Sequence, residues 1–123
     1  MADHVDVLVV DDDHSVRTSC AEILREANYS VVEAADAWEA LRHLASYDIG
    51  AILLDIFMPD RDGLWLLDQL EDPPPVVLIT ARNYDLEVMA RREKVFMYLQ
   101  KPVRPPELLN VVARAMAMRK TDS

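Results

Sequence analysis

Five side chains in this sequence have types and positions that could do chemistry together: Asp11, Asp12, Asp55, Thr80 and Lys101. Each stands where a short apolar run gives way to a loop or helix: VDVLVV before the acid pair, then AILLD, VVLIT and FMYLQK. Three acids, a hydroxyl and an amine suit a divalent cation held beside a phosphoryl group. Mg²⁺ takes oxygen ligands, keeps several waters and joins a few carboxylates to a phosphate. A lysine supplies the point charge that a phosphoryl oxygen needs, and a threonine hydroxyl can donate to a second oxygen. A carboxylate nucleophile is already ionised at neutral pH and needs no general base. That fits a site without a triad-like partner. His4, His14 and His43 read as surface or helix-end residues, with His14 near enough to the acids to modulate them.

For residues spread from position 11 to position 101 to meet, the apolar runs must be parallel strands of one open α/β sheet. Their carboxyl ends then lie side by side and form the ligand crevice. The pattern supports this, because apolar runs alternate with segments of helical period. Strands are expected at about Asp6–Val10, Tyr29–Glu33, Ala51–Asp55, Val76–Thr80 and Phe96–Gln100. Helices are expected from about Ser15 to Ala27, capped by Asp13, and around Ala37, Ala40, Leu41 and Leu44. Further helices should carry Leu64, Leu67 and Leu70, span Tyr84–Glu93 with a weak apolar stripe, and run from Pro105 to Arg119. Pro73, Pro74 and Pro75 end one helix and keep the chain extended into the next strand. Aspartates after strands are often only turn residues or helix caps. That suffices for Asp13, Asp60 and Asp62, but not for Asp55, which has turn chemistry of its own downstream in MPDRDG.

With 123 residues the expected organisation is one domain, 1–123, with a core over about 5–119 and no effector domain. Hydrophobic content of 51% with 28% charged residues is ordinary for a globular domain. The net charge of −9 argues against a nucleic-acid surface, which needs a basic footprint. Cys20 is the single cysteine, so no internal disulfide can form. No apolar stretch is long enough to span a membrane, and MADHVDV lacks the features of a signal peptide. The expected location is the cytoplasm.

The segments LVVDDD, AILLDIFMPDRDGLWLL, VVLITAR and YLQKP together resemble the response-regulator receiver domains of two-component signalling, over nearly the whole chain. An acid pair, D-x-x-M-P-x-x-D-G, a strand-final Thr and Lys-Pro in this order make a specific signature. The resemblance implies a doubly wound, five-stranded parallel sheet of the flavodoxin-like type, order 2-1-3-4-5, with helices on both faces, as in chemotaxis regulators. It implies a signalling switch rather than an enzyme, catalysing only its own phosphorylation and dephosphorylation. Asp55 would accept a phosphoryl group from a sensor histidine kinase or histidine phosphotransfer protein. Asp12, Asp55 and the Phe57 carbonyl would ligate Mg²⁺, with Asp11 acting through a bound water. Thr80 and Lys101 would hold phosphoryl oxygens, Tyr98 would be the aromatic switch, and Pro102 would follow a cis bond.

Lys94-Val95 stand where receivers commonly carry Gly-Ala, and the Thr80-to-Lys101 interval of 21 residues is about one short of the usual pattern. Both departures bear on the fourth helix and its exit. In the last helix Leu108, Val111, Val112 and Ala115 form a core face. Leu109, Ala113 and Met116 form a second ridge that is either a wider buried face or, with Met89, Met97 and Tyr98, a surface for a homodimer or a downstream partner. Two other functions compete. One is a receiver-like binding module that works without phosphorylation. The other is a haloacid-dehalogenase-like phosphatase using the D-x-D of Asp11 and Asp13, which lacks the later acidic pair and any cap. Phe57 and Arg82 would flank the path of a hydrolytic water, so slow loss of the phosphoryl group is expected. Phe57→Asn should shorten the half-life of the phosphorylated protein, measured by the decay of label; an unchanged or longer half-life would reject the idea.

Overall fold

The computed structural model describes residues 2–56, 63–80 and 92–121. The strands are β1 (Asp3–Val10), β2 (Val31–Ala34), β3 (Tyr47–Asp55), β4 (Val76–Thr80) and β5 (Met97–Gln100). The α-helices among the described residues are α1 (His14–Glu26), α2 (Ala37–Ser46), α3 (Gly63–Gln69) and α4 (Pro105–Thr121). The strands form one parallel sheet in the order β2-β1-β3-β4-β5. The parallel sheet is the one expected from the alternating pattern, and its doubly wound order is the one the resemblance implies.

Alternation along each strand divides the interior in two. Leu8, Val10, Ile52, Leu54, Val76 and Leu78 face α2 and α3, where Ala37, Ala40, Leu64, Leu66 and Leu67 complete one core. Val7, Val9, Leu53, Val77 and Ile79 face the other way and pack with Cys20 and Leu24 of α1 and Leu108, Val111 and Val112 of α4. β3 and β4 therefore read as unbroken apolar runs because both faces are covered.

Local chemistry sets the helix ends. Asp13 caps α1 by accepting from the Val16 N–H, and Asp36 caps α2 by accepting from the Glu39 N–H. At the other end of α1, Asn28 adopts φ 73°, and the N–H groups of Asn28 and Tyr29 return to the carbonyls of Arg25 and Leu24. This paired closure uses the left-handed conformation that Asn tolerates better than most residues.

Two strands begin earlier than their apolar runs. β1 starts at Asp3 and β3 at Tyr47, and the added residues pair as Asp3 with Tyr47 and His4 with Asp48. Their polar side chains conceal the strand, yet they bond to each other. His4 Nε2 lies 2.9 Å from Asp6 Oδ1 and His4 Nδ1 lies 3.2 Å from Asp48 Oδ2. Asp6 also accepts from the Ser30 N–H and so ties β1 to the start of β2.

The second ridge of the last helix is mostly interior. Leu109 and Met116 are half-buried against the core shared with α1, while Ala113 is exposed beside Asp6, Asn28 and Tyr29. Met116 packs at Gly50, where a Cβ would stand 2.7 Å from the Asp6 carbonyl oxygen and 3.1 Å from the Met116 methyl. The ridge is thus not a continuous exposed stripe, and the buried-face reading accounts for Leu109 and Met116.

Lys94 has a definite place. Its Nζ donates to the carbonyl oxygens of Leu67 (3.0 Å) and Leu70 (2.7 Å) at the end of α3. A cation there binds carbonyl oxygens at the helix end, where Leu67 O also accepts from the Leu70 N–H, and complements the helix dipole. Arg92–Lys94 form a 3₁₀ turn, and most of the helix expected at 84–93, with Met89 and Arg82, lies outside the described residues, as do Phe57, Asp60 and Asp62.

The His4 contacts make a pH-dependent contribution to stability. Hydrogen bonds to Asp6 and then Asp48 hold the imidazole pKa above its ordinary 6.5, so the stabilising charge is fully present below 6.5 and is lost as pH rises through the folded-state value. His4 is 51% exposed, and screening keeps the gain below about 1 kcal/mol. His4→Ala should therefore lower the urea midpoint more at pH 5.5 than at pH 8.5; an equal loss at both pH values would show that the imidazolium contributes nothing.

Candidate functional site

The parallel register brings the five chemical residues to one edge. Val10 pairs with Ala34 and Leu54, Asp55 with Ile79, and Thr80 with Gln100, so the chain leaves β1, β3, β4 and β5 along a common rim. Asp11 and Asp55 flank the point where strand order reverses, the usual ligand crevice of such sheets. Backbone bonds hold the rim: Asp11 N–H to Ala34 O (3.1 Å), Ile56 N–H to Ile79 O (3.3 Å) and Lys101 N–H to Thr80 O (2.8 Å).

The carboxylates of Asp11, Asp12 and Asp55 offer oxygens that all lie within 4.8 Å of one another. Asp11 and Asp55 are 1% and 3% exposed, whereas Asp12 is exposed. Lys101 Nζ stands between the buried pair, 3.5 Å from Asp55 Oδ2 and 3.8 Å from Asp11 Oδ2. Thr80 is buried at the adjoining strand end, and the Lys101–Pro102 peptide is cis. Asp13 is not part of the cluster. Its carboxylate caps α1, and its N–H donates to Asp11 Oδ1 at 2.9 Å.

Asp11 Oδ2 is buried and receives no hydrogen bond among the described residues. An acceptor without a donor is costly, and among the described residues the Lys101 ammonium faces three carboxylates. A cation among them would answer both deficits. Oxygens bound to Mg²⁺ at about 2.0–2.1 Å lie about 3–4 Å apart, so a cluster spanning 4.8 Å fits a hydrated Mg²⁺ with one acid reached through water. The residues present suit such an ion.

Glycine at position 63 is a requirement of this site. The Gly63 N–H donates to Ile56 O at 2.9 Å as α3 begins, and a Cβ there would stand 2.5 Å from the Asp55 carbonyl oxygen. The helix start is thereby pressed onto the backbone that carries Asp55.

A residue not anticipated from the sequence also reaches the site. Arg17 Nη1 donates to the Asp11 carbonyl at 2.9 Å, Nη2 contacts His14 Nδ1 at 3.0 Å, and Nε pairs with Glu33 Oε1 at 3.3 Å. A cation near the positive end of a helix runs against the helix dipole, and that anomaly was the available signal. Around the rim, Trp38 and Trp65 pack as a tilted pair with centroids 5.2 Å apart, with Trp38 54% exposed. Tyr98 lies on β5 and is 42% exposed. A hollow of about 570 Å³ beside Lys101 is lined by Val16, Cys20, Ile23, Pro102 and Val103. Burial, then the charge of Asp11, push the Cys20 thiol up to about 11, which makes it inert.

Comparison with known proteins agrees with this geometry. The family model for the response regulator receiver domain matches residues 7–113. Response regulator MprA of Mycolicibacterium vanbaalenii is 40% identical over 121 residues, covering 95% of this chain and 52% of that protein. DNA-binding transcriptional regulator NtrC of Rhizobium meliloti is 31% identical, covering 93% of this chain and 24% of its own. The chain thus spans about half the length of MprA and a quarter of NtrC. Among solved structures, a CheY-like receiver domain protein of Methanospirillum hungatei JF-1 superposes with TM-score 0.85 at 30% identity, covering 94% of this chain and 97% of that one. The receiver domain of NtrX from Brucella abortus gives TM-score 0.83 at 30% identity, covering 91% and 98%.

This chain belongs to the response regulator receiver domain family. As a receiver domain it is a signalling switch of two-component systems. The dehalogenase-like reading falls with that assignment, since its second aspartate, Asp13, is a helix cap. No helix among the described residues is long and apolar enough to cross a membrane. The contact at Gly63 leads to a test: Gly63→Ala should lose about 1–3 kcal/mol of stability by overpacking, read as a lower urea midpoint, whereas an unchanged midpoint would mean the helix start yields freely.

Proposed function

We propose that Asp55 is the phosphoacceptor, taking a phosphoryl group from a phosphohistidine of a sensor kinase or phosphotransfer protein. One observation carries the reading: the buried carboxylate of Asp55 sits 3.5 Å from the Lys101 ammonium and within the acid cluster. An Asp55 oxygen attacks phosphorus, the P–O bond forms as the P–N bond breaks, and the departing imidazole takes a proton from water. The protein's share is positioning and charge compensation. Asp12, Asp55, the Phe57 carbonyl and, through a water, Asp11 would hold Mg²⁺, which supplies charge neutralisation for the phosphoryl oxygens. Lys101 and Thr80 take the remaining oxygens. The same chemistry run with water accounts for self-catalysed dephosphorylation.

The donor's approach is supported by the apolar hollow between α1 and the turn after β5, which opens beside Lys101. A phosphohistidine on a partner seated there would have a short path to Asp55. Such donors work in the cytoplasm, and we place this chain there.

The product replaces a carboxylate with a group of about −1.5 to −2 charge. Thr80 moves toward it and leaves room behind, and Tyr98, now 42% exposed, turns inward. The surface around β5 and its neighbouring helices then changes shape for a downstream partner or a second copy. Among the described residues of the expected interface set, Tyr98 and Ala113 are exposed, and Leu109 and Met116 contribute from beneath.

Acetyl phosphate with Mg²⁺ should add one phosphoryl mass to the intact protein, and EDTA or Asp55→Ala should abolish the adduct. Lys101→Met should slow its formation on the order of 10²–10³-fold, as expected for losing one electrostatic contact to the transferring group. An adduct that persists in Asp55→Ala would refute the assignment, and a protein that takes no phosphoryl group would point to recognition without phosphorylation.

A further inference from the structure

Arg17 touches neither the acid cluster's carboxylate oxygens nor Asp55, yet its bonds converge on the residue that begins the cluster. We propose that Arg17, braced by Glu33, is a positioning residue that sets the cation affinity of the acid pair. The inference rests on the reading of Asp11 and Asp12 as cation-holding residues.

The backbone of Asp11 is clamped on both sides. Its N–H donates to Ala34 O at 3.1 Å, and its carbonyl accepts from Arg17 Nη1 at 2.9 Å. That carbonyl belongs to the peptide plane joining Asp11 to Asp12, so fixing it fixes the direction in which Asp12 leaves the chain. The Asp13 N–H, one peptide further on, holds Asp11 Oδ1 at 2.9 Å and leaves Oδ2 as the oxygen without a donor. Arg17 itself is held in place. Its side chain is 13% exposed, and Glu33 Oε1 pairs with Nε at 3.3 Å. Glu33 is anchored in turn by Arg25, and the His43 ring contacts the Glu33 carbonyl at 3.0 Å. The planar fork of a guanidinium serves Asp11 through Nη1 and Glu33 through Nε in a fixed geometry that a lysine's compact ammonium does not reproduce.

Charge and geometry give this proposal opposite signs. By Coulomb's law alone, a guanidinium near a cation site weakens cation binding, and removing it should tighten the site. If Arg17 acts by orienting the Asp11–Asp12 peptide, removing it should loosen the site in spite of the charge. Residues that orient metal ligands from behind typically account for about 10–100-fold in affinity.

The test is a Mg²⁺ titration by calorimetry on folded, unphosphorylated protein, comparing wild type, Arg17→Met, Arg17→Lys and Asp12→Asn. Amide NMR spectra of the metal-free proteins complete the set. Arg17→Met should bind Mg²⁺ about 10–100-fold more weakly, and Arg17→Lys should fall between it and wild type. The Asp13 amide resonance should move upfield in Arg17→Met as its bond to Asp11 Oδ1 loosens. A loss of global stability alone would not move that resonance. Wild-type or tighter Mg²⁺ binding by Arg17→Met, with Asp12→Asn weakened as expected, would overturn the positioning role and leave the cation site intact. Should Arg17→Met not fold, wild-type affinity in Arg17→Lys overturns the proposal. Failure of wild type to bind, or of Asp12→Asn to weaken binding, would remove the cation site and this inference with it.

Discussion

Among the described residues the crevice gathers three carboxylates around one lysine, and most of the architecture serves that concentration of charge. Asp11 and Asp55 are buried at neighbouring strand ends with Asp12 beside them, and the Lys101 ammonium stands between the buried pair. Confining like charges opposes folding unless something gathers them. What gathers them is the parallel sheet, whose core comprises the two apolar layers on either face. Hydrophobic burial in those layers stabilises the fold enough to hold a locally unfavourable electrostatic arrangement. On the proposed function, that arrangement is what would receive a divalent cation and a phosphoryl group.

Much of this was legible in the residues. β3 and β4 end at Asp55 and Thr80, where the apolar runs end, because a strand covered on both faces admits nothing polar until it leaves the core. Asp11, Asp12, Asp55 and Lys101 were equally plain, since parallel strands leave few other ways to reconcile their spacing. The early starts of β1 and β3 were not visible. His4, Asp6 and Asp48 look like loop residues, and only their mutual bonding makes an extended strand of them. The second ridge of the last helix was ambiguous for a related reason. A helical wheel reports which residues share a face but not how far a neighbour curves around it, and Gly50 opens room in β3 for Met116.

Arg17 and Lys94 escaped for a different reason. Both are long cations whose targets are main-chain carbonyls, and a carbonyl has no letter in a sequence. Arg17 reads as a solvated helix residue until the Asp11 carbonyl is found beside it. Lys94 reads as a departure from the family's small residues until the last carbonyls of α3 are found at its tip. Side-chain pairing patterns predict neither. The recognisable members of the site are those whose side chains meet one another, while those that bond to backbone must be seen in three dimensions.

The position of Lys94 gives α3 a mechanical character. The helix is short, Gly63–Gln69, and is fastened at both ends: its first N–H to Ile56 beside the acceptor, its last carbonyls to the ammonium that precedes β5. A rod clasped at each end cannot slide along its axis without straining one clasp. Displacement of the backbone around Asp55 would therefore arrive, little diminished, at the entrance to the strand that bears Tyr98. The lysine that breaks the family pattern thus couples the far end of α3 to the segment that enters β5.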